Sequence, residues 1–224
     1  MQGKVDVYGA VHKGIRYAFF KLLHQVGSLD TADDAAVDAV GQELQQVFQV
    51  LKLHQRGEDQ FIQPLAHKLE SEGARAADRE HEEHSVKLQQ LEALYQQLRA
   101  APTGSDERRG LAARFYAELD VACAENLTHM RQEEARLQPR IWEAVAPPEL
   151  AELTGRMRGS FAPQEMLLFL TYILPALNPD ERAGLLGGMK KNAPPPFFEK
   201  VWTLAGGLLA EHQLAPLRQK LGIA

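Results

Sequence analysis

The sequence predicts an all-α fold, an up-down-up-down four-helix bundle with additional C-terminal helices. Three observations support this prediction. Ala, Leu, Gln and Glu dominate the chain, and all four are good helix formers. Turn-forming positions are widely separated in the first two thirds of the sequence, so the helices between them are long. Apolar residues also recur at helical spacing, as in Val37, Val40, Leu44, Val47 and Leu51.

The first helix is expected over about residues 7–26, because Gly27 follows as a helix breaker. Asp30 or Thr31 can cap the second helix, since their side-chain oxygens can accept hydrogen bonds from the first-turn N–H groups. These signals place the first connection of the bundle between residues 27 and 33.

The second helix can continue to Pro64, where we expect a kink or a restart because proline lacks a backbone N–H. Gly73 is expected to end this second arm. The third helix is predicted over about residues 74–100, and Ser105 opens a fourth that runs to the neighbourhood of Pro139.

Beyond Pro147 and Pro148 the helices should be shorter, because proline and glycine recur more often. The sequence therefore predicts a bundle over residues 1–146 and a helical extension over residues 147–224. The apolar stretch 166–174 is too short to span a bilayer and is typical of a buried helix. No internal repeat and no low-complexity tract is apparent.

Charge and cysteine content exclude several classes of protein. The 224 residues carry 25 Lys and Arg against 30 Asp and Glu, a net charge of −5, so a basic nucleic-acid-binding surface is not expected. The single cysteine, Cys123, excludes an internal disulfide framework and a cysteine-rich zinc or iron–sulfur site. No membrane span or signal peptide is apparent. We expect a cytoplasmic protein that binds neither nucleic acid nor membrane.

Candidate metal ligands are distributed over all four predicted helices. Each helix contributes one or two, and residues three or four apart project from the same helix face. The seven candidates are His12, His54, Glu58, His81, His84, His129 and Glu133.

This ligand set predicts a centre of two metal ions. Imidazole and carboxylate suit iron, zinc or manganese, and no thiolate competes with them. Five histidines and two carboxylates exceed the four ligands of one tetrahedral zinc. Two ions bridged by Glu58 and Glu133 would use all seven and leave a position open for a small ligand. Iron is the expected native metal, with zinc as a substitute.

Several neighbouring residues keep alternative roles at this stage. Tyr8 and Glu125 each lie one turn before a candidate histidine, where they could hold its imidazole N–H or could face core or solvent. Glu80 is a rival of His81 as a ligand. Three further histidines lack a suitable partner one turn away and are assigned to surface or packing, namely His24, His67 and His212.

The order His, His-x-x-x-Glu, His pair, His-x-x-x-Glu resembles the hemerythrin-like (HHE cation-binding) family over about residues 7–145. The resemblance implies a non-haem di-iron centre with terminal histidines and bridging carboxylates. Two departures stand out. His81 and His84 are three residues apart, whereas the family's pair is often four apart, and His84 matches the family's position better. Glu133 lies four residues after its histidine, as in many bacterial members, whereas oxygen carriers have a longer His-to-Asp spacing.

These observations predict a non-haem di-iron protein that binds, senses or reacts with O₂, nitric oxide or peroxide. A sensory or ligand-binding module and an oxidoreductase need the same ligands, and Tyr8 is the candidate proton donor for an enzyme. The alternative is a zinc- or metal-stabilised structural or signalling module without redox chemistry. A ferritin-like protein is disfavoured, because its Glu-x-x-His motif is not present on two helices. The extension is similar to one on some bacterial hemerythrin-like proteins and could bind a second copy of the chain or a protein partner.

Overall fold

A computed structural model describes residues 4–69 and 72–223, except for the side chains of residues 72–78. In these ranges all regular structure is helical and there is no strand. Two π-helical segments, Glu58–Ile62 and Glu133–Leu137, join α2 to α3 and α5 to α6. The helices are α1 (Gly9–Gly27), α2 (Asp34–Gly57), α3 (Gln63–Lys68), α4 (Glu72–Ala100), α5 (Asp106–Gln132), α6 (Gln138–Ala144), α7 (Pro147–Gly159), α8 (Pro163–Ala176), α9 (Pro179–Asn192), α10 (Pro195–Leu208) and α11 (Glu211–Leu221).

Side-chain caps fix the starts of the two helices that lead to the His-x-x-x-Glu motifs. The carboxylate of Asp33 accepts hydrogen bonds from two backbone N–H groups in the first turn of α2. The predicted caps Asp30 and Thr31 lie in the loop before it, so that assignment is wrong by two or three residues. Ser105 caps α5 as predicted. Such caps stabilise a helix by about 1 kcal/mol.

Pro64 does not stop the second arm. It is the second residue of α3, and the backbone N–H of Gln63 bonds to the carbonyl of Glu58, five residues back. The wider π turn accommodates a residue that has no N–H and would clash with the preceding turn of an α-helix. Gly73 does not end this arm either, because it lies in the first turn of α4. A helical glycine costs only about 1 kcal/mol relative to alanine, which packing can offset.

The four longest helices pack against one another in a closed order. Helix α1 contacts α2 and α5, and α4 contacts the same two helices. Helix α8 lies against α1 and α2. The interior between the four helices is therefore bounded on all sides by helices that carry candidate ligands.

Two apolar clusters enclose a polar layer. The larger cluster lies among α1, α2, α4 and α5 and includes Leu53 and Met130. The second cluster includes Ile62 and Leu137 of the π-helical segments, with residues from α3, α6 and α7. The two His-x-x-x-Glu motifs fall between these clusters. The candidate ligands consequently lie at a depth where an unpartnered polar group is costly.

The C-terminal residues join the bundle through α8. The prediction of a buried helix over residues 166–174 is confirmed, and Phe169 and Ile173 belong to the larger apolar cluster. Gly14 of α1 permits the close approach, because a Cβ there would lie 2.8 Å from Ile173 Cγ1. A third apolar cluster holds α8 to α9, α10 and α11. In the part of the chain that the structure describes, no helix is long and apolar enough to cross a membrane.

Candidate metal centre

Six of the seven candidate ligands converge in the polar layer. They form two groups, and within each group the ligand atoms all lie within 4.8 Å of one another. The first group is His12, His54, Glu58 and Glu133. The second is Glu58, His81, His129 and Glu133. Because both glutamates belong to both groups, the geometry offers two adjacent cation positions with shared carboxylates.

The carboxylate of Glu58 faces both positions. Its Oε1 atom lies 3.2 Å from His54 Nε2 and 3.8 Å from His12 Nε2. Its Oε2 atom lies 3.5 Å from His81 Nε2 on the other side. One oxygen is therefore available to each position, which is the arrangement a bridging carboxylate requires.

Glu133 faces both positions through a single oxygen. Its Oε2 atom lies 3.4 Å from His12 Nε2 and 3.5 Å from His129 Nε2. The π-helical segments begin at Glu58 and Glu133 themselves, so each carboxylate projects from the point where the helix widens. Such π turns occur frequently at functional sites.

Three carboxylates outside the layer orient the histidines. Each lies within hydrogen-bond distance of an imidazole Nδ1, on the side away from the cluster. The pairs are His12 with Glu134 at 2.9 Å, His81 with Asp59 at 2.8 Å and His129 with Glu80 at 2.6 Å. If Nδ1–H donates to the carboxylate, the Nε2 lone pair is left facing inward. Carboxylate–histidine pairs of this kind fix the tautomer of metal-binding histidines.

The structure assigns these outer roles differently from the sequence analysis. Glu80 contacts His129 rather than competing with His81 for a cation position. Glu125 is exposed, which is the solvent-facing alternative that the sequence left open, and Glu80 lies on the Nδ1 side of His129. Tyr8 stacks on the His12 ring, with centroids 5.0 Å apart, and does not bond its Nδ1. Partners from other helices were invisible to an argument based on spacing within one helix.

The inward-facing atoms are buried and lack hydrogen bonds. His12 Nε2, His54 Nε2, both oxygens of Glu58 and Glu133 Oε2 have no partner among the described residues. Each buried polar atom left in this state costs about 1–3 kcal/mol, and more if it is charged. Imidazole nitrogens and carboxylate oxygens both donate electron pairs to a cation, so a bound metal ion would give each of these atoms a partner. The residues present therefore fit a bound metal.

The two shared carboxylates cannot both be ionised at low cost without a cation. Burial raises the pKa of Glu58, but His54, His12 and His81 outweigh it and hold the pKa well below its ordinary value. Burial raises the pKa of Glu133 strongly, and the negative charge of Glu58 raises it further. Glu58 is therefore the ionised member of the pair, and Glu133 is the carboxyl that a cation must bring to the charged form.

Burial keeps one histidine in the form that binds metals. His54 is enclosed between the apolar clusters, and this burial lowers its pKa to about 3 despite the nearby Glu58. Only a neutral imidazole can donate its lone pair to a metal. His12 differs, because the hydrogen bond with Glu134 and the nearby charge of Glu58 outweigh burial and raise its pKa. Protons therefore compete with a cation for His12 more strongly than for His54.

His84 lies beside the cluster rather than within it. It belongs to neither compact group, although its ring lies 5.2 Å from that of His129. It lines an open groove of about 850 Å³ between α4 and α5, with Glu80 and His129. The geometry thus brings His81, rather than His84, into the compact groups. The three histidines assigned to surface or packing all lie on the exposed surface: His24, His67 and His212.

A repeated segment contains both motifs, so the expectation of no internal repeat is wrong. Residues 54–64 read HQRGEDQFIQP and residues 129–139 read HMRQEEARLQP. The two share His, Arg, Glu, an acidic residue, an aliphatic residue, Gln and Pro at equal spacing. The acidic residue after each shared glutamate is Asp59 or Glu134, an outer partner of a histidine from another helix. This signal could have identified two of the three outer carboxylates from sequence.

No known protein family, curated protein or solved structure matches the chain. The structure shows buried His and Glu groups that could bind metal ions.

Proposed function

We propose that the chain is a four-helix-bundle protein of hemerythrin-like type that holds two iron ions and binds a small ligand such as O₂, nitric oxide or peroxide. The observation that carries this proposal is the convergence of buried Nε2 and carboxylate oxygen atoms without hydrogen bonds from α1, α2 and the starts of the two π-helical segments. His81 and His129 complete the set from α4 and α5.

The ligand count supports two ions. His12 and His54 serve one position, and His81 and His129 serve the other, while the two glutamates face both. A single ion could not reach all of these atoms, because the first histidine pair lies on the opposite side of Glu58 from His81. Two positions that share carboxylates use every atom of the cluster.

The chemistry of the donor set supports iron. Two histidines and carboxylate oxygens at each position, without thiolate, are ligands typical of non-haem iron sites that keep positions open. Zinc in a structural site would instead be closed by four ligands. Bound iron would supply redox chemistry and open coordination positions for a small ligand. The resemblance to hemerythrin-like proteins points to the same class.

The chain's own residues would hold and isolate such a centre. Glu134 and Asp59 fix the imidazoles from outside, and Arg16 holds both oxygens of Glu134 at 2.8 and 3.1 Å. The apolar clusters cover the layer from two sides. The groove lined by His84 and His129 gives a small ligand a route from solvent to the second position.

Iron loading with spectroscopy tests the proposal. The full chain would be loaded with Fe²⁺ without oxygen, freed of unbound iron, and then exposed to nitric oxide or O₂. We expect about two iron ions per chain and a change in visible absorption with either gas, both lost in Glu58→Ala. Glu125→Ala, which removes an exposed carboxylate from the groove, is the matched control and should behave as the wild type.

Two results would reject the proposal. Binding of one ion or none after loading would contradict the proposal that the chain has two cation positions. Two ions whose spectrum neither gas alters would favour the metal-stabilised structural module, and equal stabilisation by Zn²⁺ would support that reading.

A further inference from the structure

Tyr8 occupies a special place at the edge of the polar layer. It precedes α1 by one residue and lies one turn before His12, with its ring stacked on the imidazole at an interplanar angle of 26°. Only 1% of the residue is exposed. Tyr8 belongs to the second apolar cluster, whose side chains offer its hydroxyl few hydrogen-bond partners.

The Tyr8 hydroxyl is without a partner among the residues that the structure describes. It shares this property with the inward-facing atoms of His12, His54, Glu58 and Glu133. A buried tyrosine hydroxyl normally finds a hydrogen-bond partner. What distinguishes this oxygen among the buried atoms without a hydrogen bond is that its ring stacks on the imidazole of His12.

The other tyrosines of the chain lack this combination. Tyr95 donates its hydroxyl to the carbonyl of Val37, and Tyr172 donates to Glu43. Tyr17 and Tyr116 are 39% and 42% exposed.

The stacking places Tyr8 beside the imidazole whose Nε2 faces both shared carboxylates. Burial raises the pKa of Tyr8, and Glu133 and Glu58, when ionised, raise it further. A cation held by these glutamates would act in the opposite direction and favour the ionised phenolate, because a bound metal ion is the largest local charge in a site.

The two cation positions are unequal. In the repeat Glu134 corresponds to Asp59, so His12, which contacts Glu134, corresponds to His81, which contacts Asp59. Tyr8 lies one turn before His12, whereas the residue one turn before His81 is Ala77. The second position instead has the imidazole of His84 beside it. At the first position a tyrosine ring thus lies against one of the histidines, and at the second position another imidazole does.

We propose that the Tyr8 oxygen is a further ligand of the ion held by His12 and His54, and that this position takes a hard trivalent ion, ferric iron. On binding, the phenol O–H bond breaks, its proton passes to solvent, and the oxygen forms a bond to the ion; no electron is transferred. The inference rests on the proposed two-iron function and extends the ligand set of one position.

The test uses the full chain loaded with iron and oxidised to the ferric state. Phenolate bound to ferric iron gives a visible charge-transfer band and enhanced tyrosinate ring vibrations in resonance Raman spectra. We expect both in the wild type. Tyr8→Phe should abolish them while retaining about two iron ions per chain, because it removes one oxygen and keeps the ring. Tyr17→Phe, on the exposed surface of α1, should leave them unchanged.

Each outcome decides between the proposals. Two ferric ions without tyrosinate vibrations in the wild type would overturn the role of Tyr8 and leave the two-iron proposal standing. Signals that persist in Tyr8→Phe would also overturn it, and loss in Tyr17→Phe would assign them to surface iron. A wild-type chain that binds no iron would reject both proposals. The wild-type spectrum remains decisive if Tyr8→Phe fails to fold, because absent tyrosinate vibrations alone contradict the inference.

Discussion

The Nε2 atoms of His81 on α4 and His129 on α5 lie 3.2 Å apart. The Nδ1 atoms of both rings face carboxylates, Asp59 and Glu80 respectively, and in the absence of metal one Nε2 can donate a hydrogen bond to the other. Two nitrogens at about 2.1 Å from one ion are separated by this distance when they subtend an angle of about 100°. A cation between them would replace this hydrogen bond with two bonds to the metal.

The outer carboxylates should control metal affinity. We expect Glu134→Ala to weaken binding at the position of His12 about 10- to 100-fold, because loss of the outer partner frees the imidazole orientation and tautomer. Competition with a chelator of known affinity measures the change. Glu181→Ala is the matched control, since Glu181 of α9 is ion-paired with Lys13 of α1 and neither residue belongs to a candidate ligand group. Equal metal affinities in Glu134→Ala and Glu181→Ala would show that Glu134 does not orient His12.

The two shared glutamates should have opposite effects in the metal-free protein. Glu58→Gln should lower the free energy of unfolding, because neighbouring histidines favour the ionised carboxylate. Glu133→Gln should leave it unchanged or raise it, because burial and Glu58 disfavour a charge at Glu133. Urea unfolding in the presence of a chelator measures both.

Metal should remove this difference between the glutamates. Both Gln variants should lose most of the metal-dependent rise in melting temperature, since metal binding to the folded state is also folding free energy. Similar destabilisation of the two metal-free variants, or a full metal-dependent rise in either, would contradict the assigned roles.

His84 should contribute to acid sensitivity of the metal-free protein. Burial, with the adjacent His129 and His81, lowers the pKa of His84 to about 4, against about 6.5 in the unfolded chain. Between these values the unfolded state binds more protons, so stability falls as the pH drops from about 6.5 to about 4. His84→Gln should flatten this decline in urea unfolding with chelator. His24→Gln, at an exposed site, should not, and identical curves for wild type and His84→Gln would disprove the contribution.

Single replacements of the histidines should separate them into three classes. Alanine at His12, His54, His81 or His129 should lower iron content sharply, because each supplies an atom to a compact group. His84→Ala should fall between these variants and the wild type. Replacement of His24 or His212 should leave iron content unchanged, because both are exposed. A loss in His24→Ala as large as in His54→Ala would show that the cluster is not the binding site.

Local signals predicted much of this architecture. Helix propensity and apolar spacing located the long helices to within a few residues, and Ser105 was recognised as a cap because capping depends on adjacent residues alone. The convergence of His12 with Glu58 followed from the assumption that ligand-bearing faces point inward. Each of these inferences needs only contacts within one helix or one general rule.

Contacts between helices could not be read in the same way. The pairing of His81 with Asp59 joins residues on different helices, and its geometry depends on how α4 lies against the first π-helical segment. Whether His81 or His84 faces the cluster depends on how α4 is rotated about its axis. Residues three apart project from nearly the same helix face, so spacing alone does not distinguish them. The π turn before Pro64 was missed because a kink and a restart both satisfy a residue that lacks an N–H.

The position of the metal ions themselves tests the central claim most directly. Anomalous diffraction at the iron absorption edge, from crystals of the iron-loaded full chain, would locate every bound ion. The account predicts two peaks, one beside His12 and His54 and one beside His81 and His129, each in contact with Glu58 and Glu133. A single peak, or peaks confined to the groove around His84, would contradict it.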